Sequence, residues 1–168
     1  FGRSEGKSTE QGMYEDGEAA LTLLQSHFDV SPDSLCLYGY SLGNIVSIHL
    51  ASNIVNPSCL IAEAAFASAN SLTQSGLSLD LPALWLTEGA FDNAEKIRSI
   101  QTPLLVIHGE DDDFVRYRDN GKVVFDNAPE PKLLLLVPGA NHTDIPAVLG
   151  VHEYQRAVSS WISDSVER

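Results

Sequence analysis

Leu35-Cys36-Leu37-Tyr38-Gly39-Tyr40-Ser41-Leu42-Gly43 decides how this 168-residue chain reads. Leu35 to Tyr38 is an apolar run of strand length. From Leu42 to Ser52 the apolar residues Ile45, Ile48 and Leu50 indicate a helix. Between them stands a G-x-S-x-G, Gly39 to Gly43. A serine between strand and helix demands a sharp, strained turn that presents its hydroxyl above the sheet edge. Flanking glycines let neighbouring backbone approach closely. The helix opening at Leu42 puts free N–H groups and the positive end of its dipole beside the hydroxyl. A glycine-lined turn with a capping serine is the plain alternative, so the rest of the chain has to decide.

Outward from this stretch the chain alternates between strand and helix signals. Residues 1–9 are loop-like, and an apolar stripe from Glu10 to about His27 reads as a helix. Ser31-Pro32-Asp33 makes a turn, and Asn56-Pro57-Ser58 ends the helix after Ser41. Cys59 to Ala62, Pro103 to Ile107 and Leu133 to Val137 are further strand candidates. Helices are predicted from Asn93 to Ile100, from Asn120 to Asn127 and over residues 147–166. Strands apolar throughout, with helices between, mean a parallel sheet covered on both faces, an α/β architecture with right-handed crossovers. Residues 1–168 read as one domain with a short lid-like insertion at about 67–93.

Composition narrows the function classes. Apolar residues make up 43% of the chain, enough for a real core, and no stretch is long enough to span a membrane. Ten basic against 23 acidic residues give a net charge of −13. Nucleic-acid binding is therefore disfavoured, and anionic lipid would repel the surface. Cys36 and Cys59 are too few for a disulfide scaffold or metal cluster and, in apolar runs, are expected to be buried free thiols. The chain opens with Phe1 rather than Met, so a missing targeting signal says little. Localisation is left open, with the cytoplasm as default.

A nucleophilic serine needs a base, and the base an orienting carboxylate, both on strand-end loops. After the third strand the chain reads His108-Gly109-Glu110-Asp111-Asp112-Asp113-Phe114-Val115; after the fourth, Pro138-Gly139-Ala140-Asn141-His142. In an open α/β sheet these positions share one rim. Among five histidines, His142 is the base candidate. His108 ends an apolar strand and reads as a satisfied structural histidine, while His27, His49 and His152 fall within helices. Asp111, Asp112 and Asp113 compete for the acid role, and a solvated acidic loop is the alternative. No metal-ligand spacing accompanies them.

With these motifs in order, the sequence resembles the α/β-hydrolase superfamily, closest to its serine aminopeptidase-like and Bem46-like branch. The branch's G-x-S-x-G is here GYSLG, its H-G-x-x-D-x-x-V is HGEDDDFV, and its G-x-x-H is GANH. The resemblance selects Asp112 among the three aspartates and His142 as base. It implies a serine hydrolase acting on carboxylic esters, thioesters or small amides through an acyl-enzyme, with Ser41 as nucleophile, no cofactor and no metal. The opening FGRSEGKST matches the stretch that follows the family's fourth strand. Strands 1 to 4, and the loop supplying one oxyanion N–H, are thus expected to be missing. That leaves the Leu42 N–H as the oxyanion donor, and losing one such donor costs about 10²–10³ in rate. It also leaves an unpaired apolar edge that favours self-association. A non-catalytic fragment or interaction module is the competing reading, and a haloperoxidase-like or lyase member of the superfamily a third. The expected partner is a small-molecule or acylated substrate. Leu77, Leu79, Leu81, Leu84, Trp85, Leu86 and Phe91 either line an acyl pocket or pack on the core.

Overall fold

The structure, a computed structural model, describes residues 9–74 and 91–166. Among these residues four strands form one wholly parallel sheet: β1 (Cys36–Tyr40), β2 (Cys59–Glu63), β3 (Leu104–Gly109) and β4 (Lys132–Val137), in that spatial order. The register runs Cys36 opposite Cys59, Leu60 opposite Leu104, and Leu104 opposite Lys132. Every residue of β2 and β3 is buried, including Glu63 and His108 near the ends of their apolar runs. β1 is an edge strand in these residues, and Tyr38 and Tyr40 on it are exposed.

The helices are α1 (Glu10–Phe28), α2 (Gly43–Asn53), α3 (Ala69–Gln74), α4 (Asn93–Lys96), α5 (Gly121–Asn127), α6 (Ile145–Leu149) and α7 (Val151–Val166). Each crossover steps the same way across the sheet, so right-handed connections put their helices on one face. There Ile48 and Ala51 of α2, Ile97 and Val124 pack on Leu60, Ala62, Leu104 and Val106. After β4 the chain folds back over the opposite face, where Ile145 and Trp161 meet Cys59, Ile61, Leu105 and Ile107. α1 starts at Thr9, whose hydroxyl accepts the Gly12 N–H at 3.0 Å, and it packs on α2. A Cβ at Gly17 would stand 2.3 Å from Val46 Cγ1, which measures how close these two helices come.

Two expectations need correction. Cys36 and Cys59 are not free thiols: they form a disulfide, with Cα atoms 4.5 Å apart. Each cysteine lies in its own apolar run, and only the pairing of β1 with β2 reveals that they stand directly opposite. Closing a loop with a sequence separation of 23 residues is worth about 3 kcal/mol in the chain-entropy treatment. The predicted helix over 147–166 starts earlier and is two helices, because Gly150 adopts φ 94° and breaks the run. Of residues 67–93, expected to form a lid-like insertion, Ala69–Gln74 form α3 and Phe91 is fully buried. Leu77, Leu79, Leu81, Leu84, Trp85 and Leu86 lie outside the described residues.

Exposed apolar side chains include Leu23 (55% exposed) and Phe28 (61%) on α1, Tyr38 (49%) on β1, and Ile54 (48%) after α2. A strand edge left open among the described residues, on a surface that carries such side chains, is a template for pairing. The 168 residues expressed by themselves are therefore expected to self-associate. Light scattering after size exclusion should give a mass well above 18.2 kDa; a monodisperse monomer with a sharp melt would contradict the expectation.

Candidate active site

All four strands run the same way, so their C-terminal ends deliver four loops to one rim. The first is the turn after β1. Ser41 there has φ 50°, a left-handed conformation costly for a residue with a Cβ. Its amide donates to the Glu63 carbonyl of β2 at 3.0 Å. The buried Asn44 clamps the turn, its Nδ2 donating to the Ser41 carbonyl (3.1 Å) and the Glu63 carbonyl (2.8 Å). Gly39 makes room for this clamp: a Cβ there would lie 2.7 Å from Asn44 Oδ1 and 2.2 Å from Ser47 Oγ. The second glycine differs, since a Cβ on Gly43 would meet nothing within 4 Å among the described residues. The Leu42 N–H, at the head of α2, donates to no acceptor among the described residues.

The loops after β3 and β4 bring two more predicted residues to this turn. His142 Nε2 lies 3.0 Å from Ser41 Oγ, and His142 Nδ1 lies 2.8 Å from Asp112 Oδ2. The contact to Ser41 spans 101 residues of sequence and the one to Asp112 spans 30. Asp112 is the buried member of its acidic run, and Asp111 and Asp113 are exposed. Asp112 Oδ1 accepts the backbone N–H groups of Phe114 (2.9 Å) and Val115 (2.7 Å). Burial by itself pushes this carboxyl's pKa up. Hydrogen bonds from His108, His142 and the Val115 amide outweigh it and hold the carboxyl well below the usual carboxylate range. The acid is therefore ionised at neutral pH while nearly removed from water. The imidazole of His142 is packed by the Phe114 ring at 4.8 Å, and the Tyr40 hydroxyl donates to the His142 carbonyl at 3.0 Å.

Several contributors were not readable from motifs. Asn44 carries a weak signal in retrospect: an asparagine in the first turn of a helix, where its amide can bond backbone. Glu63 carries none, because it is a charged residue ending an apolar strand. Its carboxylate is buried and accepts the hydroxyls of Tyr38 and Tyr154, both at 2.5 Å. This ties β1 and α7 to the strand that holds the serine turn. Burial, reinforced by Glu63, pushes the Tyr154 hydroxyl up to about 12. His108, expected to be satisfied, is only half so. Its Nε2 meets the Val115 carbonyl at 2.7 Å, and its buried Nδ1 has no partner among the described residues. No cluster of three or more His, Cys, Asp or Glu suited to a metal occurs among the described residues.

Comparison with known proteins finds relatives of the chain. The chain is 33% identical over 147 residues to human alpha/beta hydrolase domain-containing protein 17B, covering 86% of the chain and 48% of that protein. It is 34% identical over 148 residues to alpha/beta hydrolase domain-containing protein aho-3 of Caenorhabditis elegans, covering 86% and 42%. The chain thus spans about half the length of the curated relatives it matches. Among solved structures, an esterase from Pyrococcus furiosus superposes with a TM-score of 0.74 at 18% identity, over 98% of this chain and 67% of that one. An alpha-beta hydrolase from Vibrio vulnificus gives 0.74 at 17% identity, over 96% and 60%. At such identities the superpositions speak to fold. No protein-family model matches the chain.

The two glycines of the serine motif should respond differently to alanine. Gly39→Ala must displace Asn44 and should cost about 1–3 kcal/mol of stability. Gly43→Ala, with open space at its Cβ and a better helix former in place, should change stability by less than about 1 kcal/mol. Denaturant melts of both variants check this; equal losses would mean that the clamp around Gly39 is not what fixes the turn.

Proposed function

We propose, for a chain that belongs to the α/β-hydrolase superfamily, that it carries the reacting residues of a serine hydrolase. Its substrates would be carboxylic esters, thioesters or small amides. The observation that carries this reading is the continuous contact from Ser41 Oγ to His142 Nε2 (3.0 Å) and from His142 Nδ1 to Asp112 Oδ2 (2.8 Å). A hydroxyl, an imidazole and an ionised carboxylate in that order let the imidazole take the hydroxyl proton while the carboxylate stays ionised and stabilises the imidazolium.

Ser41 Oγ attacks the acyl carbon while His142 Nε2 takes its proton. Asp112 holds the Nδ1–H tautomer and stabilises the imidazolium that forms. The developing oxyanion is met by the Leu42 N–H, at the positive end of α2. His142 then hands the proton to the leaving group, and water repeats the sequence on the acyl-enzyme. The partly buried Met13, Leu42 and Phe114 pack on a cluster that includes Phe66, Leu72 and Phe91. Phe66, Leu72 and Phe91 are buried, so this cluster is packed core rather than surface open to an acyl group. The serine aminopeptidase-like affinity of the motifs belongs to the same proposal.

The test is pre-steady-state hydrolysis of p-nitrophenyl esters by the protein as its gene encodes it. A burst of nitrophenolate approaching one equivalent per chain is expected, abolished by Ser41→Ala. Asp112→Asn should lower turnover by about 10⁴, as loss of the orienting acid does in serine hydrolases. Ester hydrolysis that survives Ser41→Ala would refute the assignment.

A further inference from the structure

His108 ends β3 wholly buried, and nothing in the mechanism above uses it. Its Nε2 lies 2.7 Å from the Val115 carbonyl and 3.4 Å from Asp112 Oδ2, the oxygen that also faces His142. The Val115 carbonyl can only accept, so Nε2 carries the proton. Nδ1 is then a bare acceptor, buried without a partner among the described residues. Filling this space with an imidazole strands a polar atom that an aliphatic side chain would not, a cost that packing does not explain. The space itself is specific, because a Cβ on Gly121 would stand 2.3 Å from His108 Nδ1.

We propose that His108 is a positioning residue for the acid: its Nε2–H fixes the Val115 peptide and faces Asp112 Oδ2, setting both the place of the carboxylate and how much of its charge His142 feels. The Val115 amide in turn donates to Asp112 Oδ1 at 2.7 Å, so one imidazole steadies both oxygens. This rests on the serine-hydrolase reading, since only there does Asp112 act through His142. The lowered acidity range of Asp112, to which His108 contributes, agrees with the geometry.

The consequence for pH has a definite sign. An N–H facing Oδ2 draws off part of the carboxylate's charge. Without it, Asp112 presents its full charge to His142 and stabilises the imidazolium. The free imidazole that accepts the Ser41 proton is then populated only at higher pH, so the acid limb of the rate profile moves up. Other ionisable groups face this cluster. The ring of Tyr117 lies 5.5 Å from that of His108, and Lys122 of α5 is paired with Asp126. Asp144 holds the Asn141 amide, and Tyr40, on β1, reaches the His142 carbonyl with Glu63 behind it. Exposed Asp111 and Asp113 flank the acid. All of these remain in the variants below, so they do not account for a shift.

The measurement is the pH dependence of the labelling rate by a fluorophosphonate, on the protein as its gene encodes it. His108→Asn, whose amide nitrogen does not reach the Nε2 position, should slow labelling at neutral pH by about 10–100-fold, the range seen for lost outer hydrogen bonds around metal-held imidazoles. Its acid midpoint should rise. His108→Gln, whose amide nitrogen does reach it, should recover most of the rate and return the midpoint. Gly121→Ala, which forces the imidazole aside, should behave as His108→Asn. Equal rates in the Asn and Gln variants, or a slower rate with an unmoved midpoint in all three, would overturn the proposal and leave His108 as packing. Labelling that persists in Ser41→Ala, or at full rate in Asp112→Asn, would instead show that the serine-hydrolase reading had failed.

Discussion

The Glu63 carbonyl is the point on which the site depends. It receives the Ser41 amide and the Asn44 side-chain amide together, and so holds a serine at φ 50° where an unconstrained chain would relax. Left-handed backbone at a residue with a Cβ costs of order 1–2 kcal/mol, and such a conformation survives where its surroundings over-determine it. Here β2, buried at every position, is the anchor. The same residue's carboxylate binds Tyr38 of β1 and Tyr154 of α7. One strand end thus sets the turn through its backbone and ties the edge strand to the last helix through its side chain.

From that anchor the remaining geometry follows from direction. Parallel strands bring every strand exit to the same rim, so residues as far apart in sequence as Ser41 and His142 can meet without any loop crossing the sheet. The acid loop is held twice, by backbone amides on Asp112 Oδ1 and by His108 beneath it. His142, the proposed base, is held by Asp112, by the Phe114 ring and, through its carbonyl, by Tyr40. In the proposed hydrolase, a geometry assembled this way would leave little to order at the moment of reaction.

Much of this was legible in the sequence, for physical reasons that can be named. Strands buried on both faces read as apolar runs, which is why β2 and β3 were visible; G-x-S-x-G between strand and helix marked the turn because few residue patterns tolerate it. The choice of Asp112 over Asp111 and Asp113 came from resemblance, since three adjacent aspartates differ only in burial, and burial depends on the fold around them. The Cys36–Cys59 link was illegible because it depends on the register of two strands. Gly150 lies inside the stretch 147–166 that reads as one helix, and the positive φ that breaks it leaves no mark on the apolar pattern. Glu63 was hidden because its role lies mostly in its backbone, which has no signature in a side chain.

The central claim is that Ser41, among many serines, is the one made reactive by its setting. Peptide mapping by mass spectrometry after fluorophosphonate treatment tests this most directly. A single stoichiometric adduct on the peptide containing Ser41 is expected, absent when His142 is replaced by glutamine. An adduct on any other serine, or one on Ser41 that forms equally well without His142, would contradict it.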